Sequence, residues 1–382
     1  MGGERDAASG TGAVAPLGYR PQLDGVRALA IALVVAFHVD RGGRQALLPG
    51  GFLGVDVFFV LSGFLITSLL IDERAGTGRI RLGAFWGRRV ARLFPLLWAL
   101  LAVFAFARWV HPIAGLTPPS PLGFLALLGY VGNWIPATGH SGLFELQYLW
   151  SLSVEEQFYV VWPLAAAGLL ALGRRWSVAV GAALAAATVI VVRPTAFAET
   201  DFFFHTLLRC DGLLLGAALA ATRRWWEPRI GSGASWALAV GGSAAIAVAV
   251  AGAHVWADDV PAWRLPLLEV GVLAVTAALV AVPTTAAGRV TGWRPLVFLG
   301  RCSYALYLVH LPLFDVVQAH VGLDRPRVRA AIELPLALAV AAAVHLAYEL
   351  PAQRVLRRLL RAEHRRAEHA PAEPELGVAT PA

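Results

Sequence analysis

"LDGVRALAIALVVAFHV" (residues 23–39) is apolar at nearly every position, yet it carries Arg27 near its start and His38 near its end. An α-helix turns about 100° and rises about 1.5 Å per residue. Eleven residues are therefore about three turns, and both side chains point the same way, about 16 Å apart along the axis. The stretch reads as a membrane helix with one polar face, and that reading decides the class of the whole chain.

The rest of the sequence agrees with it. Of the 382 residues, 58% are hydrophobic and 15% charged, against about 25% charged in a typical soluble domain. Apolar runs long enough to cross hydrocarbon recur at 23–41, 52–71, 90–110, 154–172, 176–192, 206–222, 235–253, 266–283, 302–318 and 329–350. The expected fold is an all-α polytopic membrane protein. The net charge of +7 rests on arginine, with no lysine in the chain, which matches a composition bias and implies no nucleic-acid partner. Cys210 and Cys302 are too few to form a disulfide framework. Residues 1–18 are small and polar and read as disordered, as does the basic, then Pro/Ala-rich tail over 359–382.

An eleventh run, 123–136, is short and contains Gly129, Gly132 and Asn133. Loop arginines decide its status, because cytoplasmic loops are enriched in them. The basic loop 72–92 lies inside, so the N-terminus does too. If 123–136 does not cross, the basic segments 173–176, 222–229, 288–294 and 353–366 also fall inside and the acidic 254–263 falls outside. If it crosses, 173–176, 222–229 and 353–366 move outside. The expectation is ten spans, both termini cytoplasmic, and 123–136 as a re-entrant or interfacial segment on the outer side. Non-spanning backbone at that depth must be buried in protein or line a cavity.

That orientation sorts the charges by depth. His38, Asp56, Glu155, Glu156, Arg209 and Asp211 lie towards the outer side; Arg27, Arg88, Arg89, Arg92 and Glu349 lie towards the inner side. Intramembrane charges are costly and either pair or face a cavity. Each also has a structural reading. The arginine cluster can act as a topology signal alone, Arg27 can snorkel or pair with Asp24, Glu156 faces away from Glu155, and His310 can close a polar gap between helices. His111, His140, His254 and His320 fall in loops and receive no role.

The segments "YRPQLDGVRALAIALVVAFH", "GGFLGVDVFFVLSGFLIT", "FWGRRVARLFPLLW", "WSLSVEEQFYVVWP", "GRCSYALYLVHLPLF" and "YELP", in this order, resemble the acyltransferase 3 family of integral-membrane acyltransferases. The resemblance covers about 19–358, taken as one membrane acyltransferase domain. It implies O-acylation of a polysaccharide, peptidoglycan or a glycosylated small molecule in the bacterial cytoplasmic membrane, with acyl-CoA, acetyl-CoA by expectation, as donor substrate and no bound cofactor or metal. Arg27 and His38 match the family's Arg-x10-His pair, and Arg89 and Arg92 its Arg-x-x-Arg motif. Many members carry a histidine just before the "WSL" motif, where this chain has Tyr148. Longer members append an extracytoplasmic hydrolase-like domain that this sequence lacks, so the chain is expected to work alone or with separate partners, in contact with membrane lipid and its glycan-type acceptor.

The resulting expectation gives Arg27, His38 and Asp56 the catalytic work, with Asp56 orienting the imidazole, and Arg88, Arg89 and Arg92 the donor. Glu155, Glu156, Arg209, Asp211, Tyr304, His310 and Glu349 are further candidates. His38 can serve as general base or form an acyl-histidine; both routes remain open at this level. Ser62 lacks the context of an activated nucleophile. The alternative function is a multispan transporter or flippase of a glycan or lipid, which buried charges and a broken segment also fit.

Overall fold

The computed structural model describes residues 15–39, 47–172, 175–196, 204–253, 263–321 and 325–368. Among these residues every regular element is helical. The main helices are α1 (Pro21–His38), α2 (Gly54–Thr77), α3 (Leu82–Trp109), α4 (Pro121–Leu128), α5 (Trp150–Ala171), α6 (Arg175–Ala196) and α7 (Asp211–Ala221). They continue with α8 (Ser232–Val250), α9 (Arg264–Ala281), α10 (Arg294–Arg301), α11 (Ser303–Val321), α12 (Pro326–Val344) and α13 (Leu350–Glu368).

Seven helical segments among the described residues are long and apolar enough to cross a membrane, and α10 with α11 makes an eighth if that pair, bent by 66°, counts as one span. The ten expected apolar runs all fall on helices. Of the two left over, α5 has the length but carries Glu155 and Glu156, and α7 has only 11 residues. The run 123–136 is not one helix. Its α4 has eight residues, about 12 Å of rise against a hydrocarbon core of about 30 Å. The chain then breaks at Tyr130, whose φ is 53°. Asn133 is fully buried there. Its amide donates to the Phe204 carbonyl (2.9 Å) and to Thr206 Oγ1 (2.8 Å), and its Oδ1 accepts from Gln157 (2.8 Å). One polar residue in an apolar run thus anchors the segment to α5, because a buried amide must find partners.

The centre is built by α1, α2, α3, α5 and α11, whose apolar faces meet in one cluster around Ile31, Phe59, Leu97 and Leu308. Helices α2 and α7 approach closely through small residues. A Cβ on Gly63 would lie 1.8 Å from the Leu213 carbonyl oxygen, and one on Gly216 would lie 2.1 Å from that of Val60.

Two expectations about the ends change. Residues 15–18 are not free: Leu17 is buried and its backbone N–H donates to Asp72 Oδ2 at 2.7 Å. At the other end α13 continues through Glu368. Residues 1–14, 369–382, most of the acidic loop and His254 lie outside the described residues.

Candidate active site

A cavity opens among α1, α2, α3, α5 and α11. Its polar wall comes from four short periodic patterns. Arg89 and Arg92 are spaced i, i+3 on α3; Ser151, Glu155 and Tyr159 are spaced i, i+4, i+8 on α5; Ser303, Tyr304 and Tyr307 occupy the start of α11; Ser62 lies one turn beyond Phe58 on α2. Side chains three or four apart share one helix face. Each helix therefore turns one polar stripe towards the cavity.

Arg27 enters from α1, donates from Nη2 to Ser303 Oγ at 3.1 Å and lies 5.8 Å from the Phe58 ring centroid. Arg89 sits over Tyr159 at 4.7 Å. Tyr304 donates to the Leu93 carbonyl at 2.5 Å, fixing α11 against α3. Ser62 donates to Glu155 Oε1 at 2.7 Å. Three guanidiniums, Arg27, Arg89 and Arg92, face one carboxylate, Glu155, so the lining carries formal charges of +3 and −1. A surplus of guanidinium in a confined space selects an anion, and the planar fork suits phosphate.

The remaining candidates are placed elsewhere. Arg88 turns outward, with a half-exposed side chain 3.7 Å from Glu73. It does not line the cavity, because its two neighbours on the Arg-rich turn occupy the inward face. Asp24 pairs with Tyr19 (2.7 Å) and Arg301 (3.8 Å). Glu156 is buried outside the cavity lining, as expected for the residue next to Glu155 on a helix. Glu349 is bonded by His345 Nδ1 (2.7 Å) and Gln353 Nε2 (2.9 Å) at a single π-helical turn, His345–Glu349.

Asp56 does not orient His38. It is buried, and Arg209 donates to its Oδ1 at 2.7 Å while lying 5.3 Å from the Trp150 ring centroid. Asp211, the next candidate, pairs with Arg193. Equal depth along two helices left the azimuth undefined; Asp56 occupies the α7-facing side of α2.

His38 instead faces His310. Its Nδ1 lies 2.8 Å from the Val34 carbonyl oxygen and 3.3 Å from His310 Nε2. His38 is half-buried and His310 fully buried. Neither lines the cavity, but Tyr307, a wall residue, contacts His310 through its carbonyl at 2.8 Å. Arg27 and His38 thus occupy two connected places, one in the cavity and one just beyond its wall. Ser151, Tyr159, Ser303 and Tyr307 were not singled out in the sequence, and Ser62 was weighed there only as a nucleophile; the signal for the first four was the i, i+4 spacing of polar residues in apolar runs. Among the described residues, no group of three or more His, Cys, Asp or Glu is placed to hold a metal ion.

A family model described as an acyltransferase domain matches residues 20–346. The chain is 29% identical to peptidoglycan O-acetyltransferase OatA of Listeria monocytogenes, over 82% of this chain and 52% of that protein. It is 31% identical to "Putative peptidoglycan O-acetyltransferase YrhL" of Bacillus subtilis, over 77% of this chain and 48% of that protein. The chain thus spans about half the length of the curated relatives it matches. No solved structure matches it.

Proposed function

The chain belongs to this acyltransferase family and is an acyltransferase, and from that premise we propose that it moves an acetyl group from cytoplasmic acetyl-CoA to a hydroxyl of a peptidoglycan-type glycan. The observation that carries the donor half is the convergence of Arg27, Arg89 and Arg92 on one cavity beside a basic loop. CoA is polyanionic, and its phosphates suit Arg89 and Arg92 at the cytoplasmic start of α3. The pantetheine arm then runs past Arg27 towards Val55 and Tyr307, where the thioester approaches His38. The relatives' names supply the acceptor class. The glycan hydroxyl enters from the outer side, and both termini are cytoplasmic in this arrangement of the cytoplasmic membrane.

The chemistry balances without a further reactant. His38 removes the proton from the acceptor hydroxyl, the oxygen attacks the thioester carbonyl, the C–S bond breaks, and the leaving thiolate regains the proton from His38. General acid–base catalysis contributes about 10²–10⁴-fold. The test is transfer of radiolabelled acetyl from acetyl-CoA to soluble peptidoglycan fragments in membranes containing the protein. His38→Gln is expected to lose transfer while still binding acetyl-CoA, and Arg27→Ala is expected to weaken donor binding. Near-normal turnover in a folded His38→Gln protein would assign the histidine a structural role.

A further inference from the structure

We propose that His310 is a positioning residue that fixes the tautomer of His38 and steadies its imidazolium, through a hydrogen-bond chain that begins at Pro312. The proposal rests on the reading of His38 as general base and adds the atom that does the work.

The chain starts with a proline inside α11. Proline has no backbone N–H, so Pro312 cannot donate to the carbonyl four residues earlier. That carbonyl is Leu308, and Tyr148 fills the vacancy: its hydroxyl donates to the Leu308 oxygen at 2.6 Å. The phenol ring is thereby fixed edge-on to His310, with centroids 5.4 Å apart. Phe314 and Tyr307 pack on the same imidazole at 5.9 Å each. His310 is fully buried with its ring held on these sides.

The protons then follow from what the neighbours accept. His310 Nδ1 faces two carbonyl oxygens, Leu306 at 3.0 Å and Tyr307 at 2.8 Å. Carbonyls only accept, so Nδ1 carries the hydrogen, and in the neutral ring Nε2 has the lone pair. That lone pair points at His38 Nδ1, 3.3 Å away. His38 Nδ1 also faces the Val34 carbonyl at 2.8 Å, so it carries a hydrogen shared between two acceptors. The remaining nitrogen of His38, Nε2, is left unprotonated and able to take a proton. After it does, the imidazolium still donates from Nδ1 to Val34 and to the His310 lone pair. A neutral imidazole thus takes the orienting place in which a carboxylate was expected; Asp56, the carboxylate at that depth, is engaged with Arg209. The Tyr148 hydroxyl here serves the helix rather than the proton.

The experiment compares His310→Leu, which removes the acceptor, with His310→Gln, whose side-chain carbonyl can replace it. His310→Leu is expected to lower kcat about 10²-fold with the KM for acetyl-CoA within twofold, and His310→Gln to recover at least tenfold of the loss. A kcat within threefold of the parent in His310→Leu, or an equal loss in both variants, would overturn the proposal. Nitrogen-15 histidine NMR of the unmutated protein in detergent, with the His38 signal assigned by its absence in His38→Gln, reads the tautomer without relying on any variant's fold at position 310. The Nδ1–H form is expected, and an Nε2–H form refutes the chain. If His38→Gln retains transfer, the general-base reading itself fails; if His38→Gln is inactive and His310→Leu is normal, only the role of His310 fails.

Discussion

Removing the Arg209 guanidinium while leaving Asp56 in place separates stability from catalysis. Both side chains are almost fully buried, and they meet through one 2.7 Å hydrogen bond. Asp56 Oδ2 has no hydrogen-bond partner among the described residues, so the pair is the main compensation for burying that carboxylate. Breaking a buried pair by deleting one partner costs about 3–5 kcal/mol, because the other charge is left unpaired in low dielectric. At about 1.4 kcal/mol per decade, that is about a 10²–10⁴-fold fall in the folding equilibrium constant. Arg209 also lies over Trp150, and that contact adds to the loss. Arg209→Gln is therefore expected to be strongly destabilised in a detergent thermal-unfolding assay, Asp56→Asn similarly, and the double variant less than the sum of the two. The coupling of contacting residues gives the sign. Per folded molecule, turnover in Asp56→Asn is expected to stay within a few-fold of the parent. A variant with parental stability and kcat reduced 10²-fold or more would refute the reasoning and return Asp56 to the catalytic group.

Arg89→Ala and Arg92→Ala are each expected to raise the KM for acetyl-CoA about 10–100-fold, the loss of about 1.5–3 kcal/mol of charge-assisted hydrogen bonding, whereas Arg88→Ala leaves it unchanged because Arg88 faces Glu73; steady-state kinetics against donor concentration checks both. Gly63→Ala places a methyl 1.8 Å from the Leu213 carbonyl oxygen, so α2 and α7 must separate, and a loss of about 1–3 kcal/mol is expected by thermal unfolding. In a background without Cys210 and Cys302, a cysteine at Gly231 is expected to be protected from an impermeant thiol reagent added outside whole cells, and one at His140 to be labelled. Labelling at Gly231 with protection at His140 would restore 123–136 as a span.

The sequence by itself determined the class, the family and the composition of the polar stripes. Helical period is a local property: Arg27 and His38 share a face because eleven residues make three turns, whatever surrounds them. Ser151, Glu155 and Tyr159 share theirs for the same reason. The break at 123–136 was also local, since Gly129, Gly132 and Asn133 interrupt an apolar run that is already short. Partnership was not local. Asp56 and His38 lie at similar depth, and depth is all that a hydropathy profile supplies; which side of α2 faces which neighbour depends on packing against α7, where Gly63 and Gly216 allow the backbones to close in. That contact directs Asp56 to Arg209. It leaves His38 to meet His310, 272 positions away in the chain, an encounter decided by how α1 and α11 cross. The same holds for Tyr148 and Leu308, 160 positions apart. Pro312 announces in the sequence that one carbonyl will lack a helical donor, but only the tertiary fold brings a hydroxyl to it.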